Sequence, residues 1–420
     1  MIQVFHFTSL KTRIVPAMLR STLFCLLAIL ATTSISAEDN WPRWRGPQQD
    51  GHYSGTDVPL KWSTSNIVWR TELPGSGQSA PCIWGDQIFL TANNGQGAER
   101  IVFAVDKNSG KILWEQSVWK GQPEPSHALN GWASANCVTD GEHLYAFFGI
   151  GGLHCLTLGG EKVWSKDLGN FEGPWGTAAS PVLIRGMLIQ NCDADSNARL
   201  IAFDKKTGKE LWTTKRENAR GWSTPVLINV DGHEELVLNG DSKVTAYNPD
   251  TGEELWFCKS FNGRGAPTAT FANNLIHMIN GKPGECYAVR PGGSGDVTDS
   301  HMAWHARRPG GRDLPSPVVI GEFMVTNNMD GVYSTFNSLT GKEVWRERVG
   351  GKHVATPVSY AGKAIFVDEA GVSTVVDPIN KIESRNSLGN RPGEIFRSTP
   401  VPNEGHLYIR STGALYKIGK

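Results

Sequence analysis

Eight residues carry most of the chemistry this sequence offers: Trp132, Trp175, Trp222, Arg264, Arg312, Asp313, His353 and Arg397. Each stands just ahead of a short apolar run, in a loop that leads into a repeated unit. Three indoles come first along the chain, followed by three guanidiniums and an imidazole. If the units close into a ring, these loops form an apolar arc facing a basic arc. Such a funnel suits a small planar anionic ligand. It equally suits a protein partner whose loop carries an aromatic ring and a carboxylate, held by stacking and bidentate Arg pairing. The same residues also suit a structural use, plugging a central channel and satisfying loop carbonyls, with Asp313 neutralising Arg312.

Other chemistry is poorly represented. No metal site is expected, since no Cys-x-x-Cys pair points to zinc, and no Gly-x-Ser-x-Gly elbow points to a hydrolase. Gly75-Ser76-Gly77 and Gly292-Gly293-Ser294-Gly295 are glycine-rich, but neither leads into a helix as a phosphate cradle would. Formal net charge is zero, which gives no electrostatic case for nucleic acid or an acidic membrane surface.

The elements that must position these residues repeat. Ala104 to Trp114 reads AVDKNSGKILW, Ala202 to Trp212 reads AFDKKTGKELW, Ala246 to Trp256 reads AYNPDTGEELW, and Thr335 to Trp345 reads TFNSLTGKEVW. A strand ends, Asp or Asn and Gly supply a tight turn, and a second strand follows. Upstream of each Trp a strand opens on Pro81, Pro181, Pro225, Pro317, Pro357 or Pro400, with Asn136 and Pro267 expected in that place in two further units. Eight four-stranded units of about 44 residues predict an all-β, eight-bladed β-propeller. Trp69, Trp114, Trp164, Trp212, Trp256, Trp304 and Trp345 are expected to dock between neighbouring blades, with Trp114, Trp212, Trp256 and Trp345 mostly buried.

Three departures stand out. Blade two shortens its hairpin, blade five carries the insertion GGSGDVTDS, and blade seven has Ser384 or Arg385 where Trp should be. The last blade stops one strand short, so the strand around Trp69 is expected to close the ring and remove its edges. Residues 38–68 belong to no blade; Trp41-Pro42-Arg43-Trp44-Arg45-Gly46-Pro47 reads as an extended segment covering one blade's outer surface.

Residues 1–37 read as an export signal, with Lys11, Arg13 and Arg20 ahead of an apolar run from Leu23 to Ala31. That run is too short to span a membrane comfortably, so the mature chain is expected to have no transmembrane span. The expected destination is periplasmic or extracellular, as a monomer. Cys82, Cys137, Cys155, Cys192, Cys258 and Cys286 remain, scattered and read as small core residues, although export would permit disulfides.

These hairpins, with the opening residues WPRWRGPQQDG and SNIVWRTELPGSGQSAP, resemble the pyrroloquinoline-quinone (PQQ) repeat family. That family includes quinoprotein dehydrogenases and the outer-membrane β-barrel assembly factor. The resemblance covers about residues 41–420 and implies the eight-bladed fold with tryptophan-docking motifs. It also implies that an enzyme of this type would hold PQQ and calcium in the funnel, often beside a disulfide of adjacent cysteines. This chain has no adjacent cysteines, no Cys-x-x-Cys-His haem motif and compact blades. The expectation is therefore a binding or scaffolding protein rather than an enzyme. The alternative is a PQQ-dependent dehydrogenase oxidising an alcohol or sugar with PQQ and calcium.

Overall fold

The computed structural model describes residues 40–420 apart from 262–263, 281–283 and 309–311, so the expected export signal lies outside the described residues. Among the described residues, no helix is long and apolar enough to cross a membrane. The strands form eight sheets, one per predicted unit, antiparallel apart from one added strand in blade four. Blade one is typical, with Cys82–Trp84, Gln87–Asn94, Glu99–Asp106 and Ile112–Lys120 in chain order. Blade eight takes Val401–Asn403, His406–Arg410 and Ala414–Ile418 from the C-terminus and Ile67–Glu72 from the N-terminus. Trp69 pairs with Lys417 and Glu72 with Ala414, so the two ends of the chain share one sheet and the ring closes.

First strands of neighbouring blades touch one another and are innermost. A chain of hydrogen bonds links the residues at their starts. The N–H groups of Ala80, Asn136, Ser180, Thr224, Thr268 and Ser316 each donate to a side-chain oxygen in the next blade. The acceptors are Asn136, Ser180, Thr224, Thr268, Ser316 and Thr356, at 2.6–3.1 Å. This series corrects the expected alignment of two units. Asn136 and Thr268 are equivalent to the Ser or Thr before Pro, so Cys137 and Ala269 stand where the other blades have proline. Neither Asn136 nor Pro267 takes that place.

The outer strands are held by the tryptophans. Trp114, Trp212 and Trp256 lie opposite Ala104, Ala202 and Ala246, small residues that leave room for an indole. A one-residue slip in register accompanies the Trp or its replacement in every blade. The indole N–H then reaches the next blade's hairpin. Trp69 donates to Lys107 O, Trp114 to Leu158 O, Trp164 to Lys205 O, Trp304 to Ser338 O and Trp345 to Pro378 O, at 2.7–3.3 Å. The rings of Trp69, Trp114, Trp164, Trp212 and Trp304 lie on the glycine of that hairpin. At Gly208, where φ is +66°, an added Cβ would come within 2.8 Å of Trp164.

Burial of these rings is uneven. Trp256 is fully buried and Trp304 and Trp345 nearly so, whereas Trp69, Trp114, Trp164 and Trp212 are only half-buried. The fourth strand is the sheet's outer edge, and a ring lying there keeps one side towards solvent unless something covers it. At Trp256 the blade-five insertion does so. Gly295–Asp296 pairs in parallel with Glu254–Lys259 as a fifth strand of blade four, and Trp256 turns its N–H to Glu235 of its own blade at 2.9 Å. In blade seven, Ser384 replaces Trp and donates to Leu60 O, while Trp62 is buried in one cluster with Val375 and Leu388. The six described cysteines are buried and unpaired.

Replacing Trp256 with Ala removes the fully covered docking ring and leaves the buried Glu235 carboxylate with only the longer bond from Gly292 N. Chemical denaturation should show a loss of about 3–5 kcal/mol, against a clearly smaller loss for Trp114→Ala. Equal losses would mean that the fifth strand adds nothing.

Candidate functional site

The loops that enter the first strands surround a cavity of about 280 Å³ on the axis. Its lower wall is the hydrogen-bonded series just described, since Ala80, Asn136, Ser180, Thr224 and Thr356 all line it. Its floor is Trp44. The segment around Trp44 does not lie on one blade's outer surface, as its composition suggested; it crosses the inner end of the ring and bonds to all eight blades. Trp41 bridges Ile83, Pro42 O accepts from Thr139 N, and Arg43 donates to Leu183 O. Gln49 donates to Pro225 O, and Arg45 to both Ala269 O and Pro317 O. Tyr53 N donates to Ser359 O, and the Trp44 indole to Thr399 Oγ1. Arg45 has no exposed surface, and burial pushes its guanidinium down to about 10, so it stays charged at neutral pH. The channel is therefore a blind funnel.

Of the eight sequence candidates, Trp175, Trp222, Arg264, Arg312 and Arg397 line this cavity. Trp132, Asp313 and His353 do not. Trp132 covers Gly97 and donates to Glu124 O at 2.8 Å, beside the buried Arg100–Glu124 pair. His353 is buried against the Tyr333 hydroxyl at 3.2 Å, and desolvation holds its imidazole below the usual range. Asp313 is fully buried and faces Arg308 at 3.1 Å, so it does not neutralise Arg312. Sequence position located these three loops, but each side chain turned towards a buried partner instead of the axis.

Trp175 has an unexpected surrounding. The Arg264 guanidinium lies 3.8 Å from its ring centroid and that of Arg220 lies 4.2 Å away. Trp175 and Arg264 line the funnel, whereas Trp175 and Arg220 line a small adjoining pocket, so the two guanidiniums approach the ring from different sides. Trp175 thus holds Arg264 in place by stacking. Trp222 sits 6.0 Å from Trp175 and is fixed by a 2.8 Å bond from its N–H to Gly176 O. His127 and Leu129 extend the same apolar wall. Neither was singled out in the sequence, because their loop precedes blade two without a repeat landmark.

The cations divide into paired and bare groups. Arg220 is paired with Asp195 at 2.6 Å and Arg397 with Glu369 at 2.7 Å. Among the described residues, Arg264 and Arg312 form no ion pair within 4.0 Å. Burial lowers the Arg264 pKa, the charges of Arg312 and Arg220 lower it further, and Asp241 opposes them. Among the described residues, no Asp or Glu lines the cavity. Calcium takes six to eight oxygen ligands with carboxylates foremost, so these walls do not fit a calcium-bound quinone. Asp140, Glu142 and His143 gather elsewhere, in a blade-two turn where Asp140 is tied to Lys205 at 2.6 Å. His301 and His305 have a His-x-x-x-His spacing, but His301 bonds Ser300 while His305 stacks on Phe261.

Comparison with known proteins agrees with this geometry. The family model described as outer membrane protein assembly factor BamB matches residues 52–169 and 98–273. The chain belongs to this PQQ-repeat, BamB-type propeller family. Proteins named outer membrane protein assembly factor BamB from Moranella endobia (strain PCIT) and Yersinia pestis are similar, at 27% identity over 191 residues and 26% over 177. Those matches span 44% and 41% of this chain and only 42% and 40% of the relatives' length. Among solved structures, BamB from Moraxella catarrhalis superposes with a TM-score of 0.62 at 17% identity, covering 84% of this chain and 97% of that one. A europium-containing methanol dehydrogenase superposes with a TM-score of 0.71 at 11% identity, covering 91% and 98%. At such identities the likeness is one of fold, and the BamB-type ring is common to assembly factors and enzymes.

The floor of the funnel can be tested at Arg45. Arg45→Leu leaves the Ala269 and Asp50 carbonyls without their donor and Pro317 O with the Thr270 hydroxyl alone, and thermal and urea melts should show a loss of at least about 3 kcal/mol. An unchanged melt would remove Arg45 from the account of the floor.

Proposed function

We propose that this chain is an exported, non-catalytic scaffold that holds a protein partner on its funnel face and assists assembly of outer-membrane proteins. The observation that carries this reading is the funnel itself: blind, with no carboxylate among the described residues that line it, and bearing two guanidiniums that form no ion pair within 4.0 Å. A dehydrogenase of this fold would need a metal-holding carboxylate set at that place. At about 280 Å³ the cavity also falls at the lower end of small-molecule sites. It is better matched to side chains inserted from a partner than to a large cofactor. The BamB-type relatives support the same reading, because their name describes an assembly factor and no reaction. The partner, the periplasmic or extracellular setting and the monomeric state belong to this proposal.

Two measurements test it together. Purified protein mixed with PQQ and calcium should leave the quinone absorbance unchanged and reduce no dye with an alcohol or sugar. Deleting the gene should lower the amount of folded β-barrel in the outer membrane, and the wild-type gene should restore it. Tight PQQ binding with dye reduction would establish the dehydrogenase alternative. Unchanged barrel levels would sink the assembly role.

A further inference from the structure

Four features of the funnel mouth converge on one ligand chemistry. Arg264 is pre-positioned, because Trp175 supports it from below and Arg220, across the ring, is itself anchored by Asp195. Arg312 is left bare by a local choice: its neighbour Asp313 turns inward to Arg308. Arg264 and Arg312 both line the mouth; the charge of Arg312 contributes to lowering the Arg264 pKa, and Asp241 opposes that without forming an ion pair. Two like charges in one cavity are costly unless an anion completes the site. Beside them, Trp222, Leu129 and His127 form an apolar wall, with Trp222 the indole in the mouth that no guanidinium covers.

We infer that the funnel mouth receives an acidic side chain of a partner's loop, its carboxylate between Arg264 and Arg312 and a neighbouring aromatic side chain against Trp222. This deepens the scaffold reading and rests on it. A carboxylate accepts two parallel N–H bonds from one guanidinium fork, one at each oxygen, and its remaining lone pairs can accept from a second. The aromatic neighbour follows from the adjoining wall, which is apolar where the other half is basic. Arg397 takes no part, since Glu369 already holds it. Trp175 is a positioning residue, acting through Arg264.

The test uses the full mature chain and short capped peptides, acetyl-Trp-Glu-amide and acetyl-Trp-Gln-amide, in calorimetric titrations. The acidic peptide should bind at least about tenfold more tightly than its neutral twin, the size expected for charge-assisted hydrogen bonds. Arg264→Gln with Arg312→Gln should erase that difference, whereas Lys209→Gln with Lys342→Gln, on the hairpin turns, should preserve it. Trp175→Ala should weaken the acidic peptide alone. Thermal melts of each variant show that it is folded. Equal affinity for both peptides, or no detectable binding of either up to about 1 mM, would overturn the inference. So would indole-3-acetate binding more tightly than the acidic peptide, since the ligand would then be a small free acid. Failure here and failure of the scaffold reading are separable. A protein that sustains barrel assembly without discriminating the peptides loses only the funnel assignment. One that discriminates them while its gene deletion leaves barrels unchanged loses the assembly role.

Discussion

The innermost strands of a propeller bring buried carbonyl and amide groups to its axis, where each must find a partner or cost free energy. In this protein much of that demand is met by the segment from Trp41 to Tyr53, which bonds to every blade in turn. Arg45 is its centre. One fully buried guanidinium reaches blade five, blade six and the segment's own Asp50 carbonyl. The charge is tolerated because its donors all meet oxygens, apart from Nε, which has no partner. The same segment supplies the closing strand a few residues later, so N-terminal strap, ring closure and funnel floor are one continuous piece of chain.

From this constraint the rest of the architecture follows outward. Side-chain oxygens at the first strands pass a hydrogen bond from blade to blade near the axis. Tryptophans on the fourth strands do the corresponding work at the rim, most of them lying on the next blade's hairpin glycine. Where a blade departs from the pattern, another segment makes good the loss. The fifth strand covers Trp256, and residues 60–62 cover the place of the missing tryptophan in blade seven. Each blade is thus completed by contact with its neighbours, as expected of an architecture in which no unit buries its faces alone.

How much of this the sequence revealed depended on whether a residue's role was local. The Thr-Gly-x-x-x-Trp hairpins fix turn, strand and docking ring within a dozen residues, so blade number, docking tryptophans and the closing strand near Trp69 were all legible. The strap was not. Trp44 and Arg45 find their partners more than two hundred residues away, and nothing within WPRWRGP distinguishes a plug from an outer covering. The candidate site fell between these cases. Loop position correctly placed Trp175, Trp222, Arg264, Arg312 and Arg397 around one cavity. It did not foresee that Asp313 and His353 turn into the core, or that two arginines approach Trp175 from different sides. Those outcomes depend on rotamers chosen by tertiary packing, which periodicity does not encode.

The strap's claim to organise the ring is tested most directly by removing it while keeping the closing strand. A mature chain beginning at residue 63 retains Ile67–Glu72 and every blade strand, and can be compared in thermal unfolding with one beginning at residue 38. The account predicts a large drop in melting temperature and loss of a single cooperative transition, because polar groups on all eight blades lose their partners at once. An unchanged, cooperative melt would show that the ring stands without the strap, and the account would be wrong at its centre.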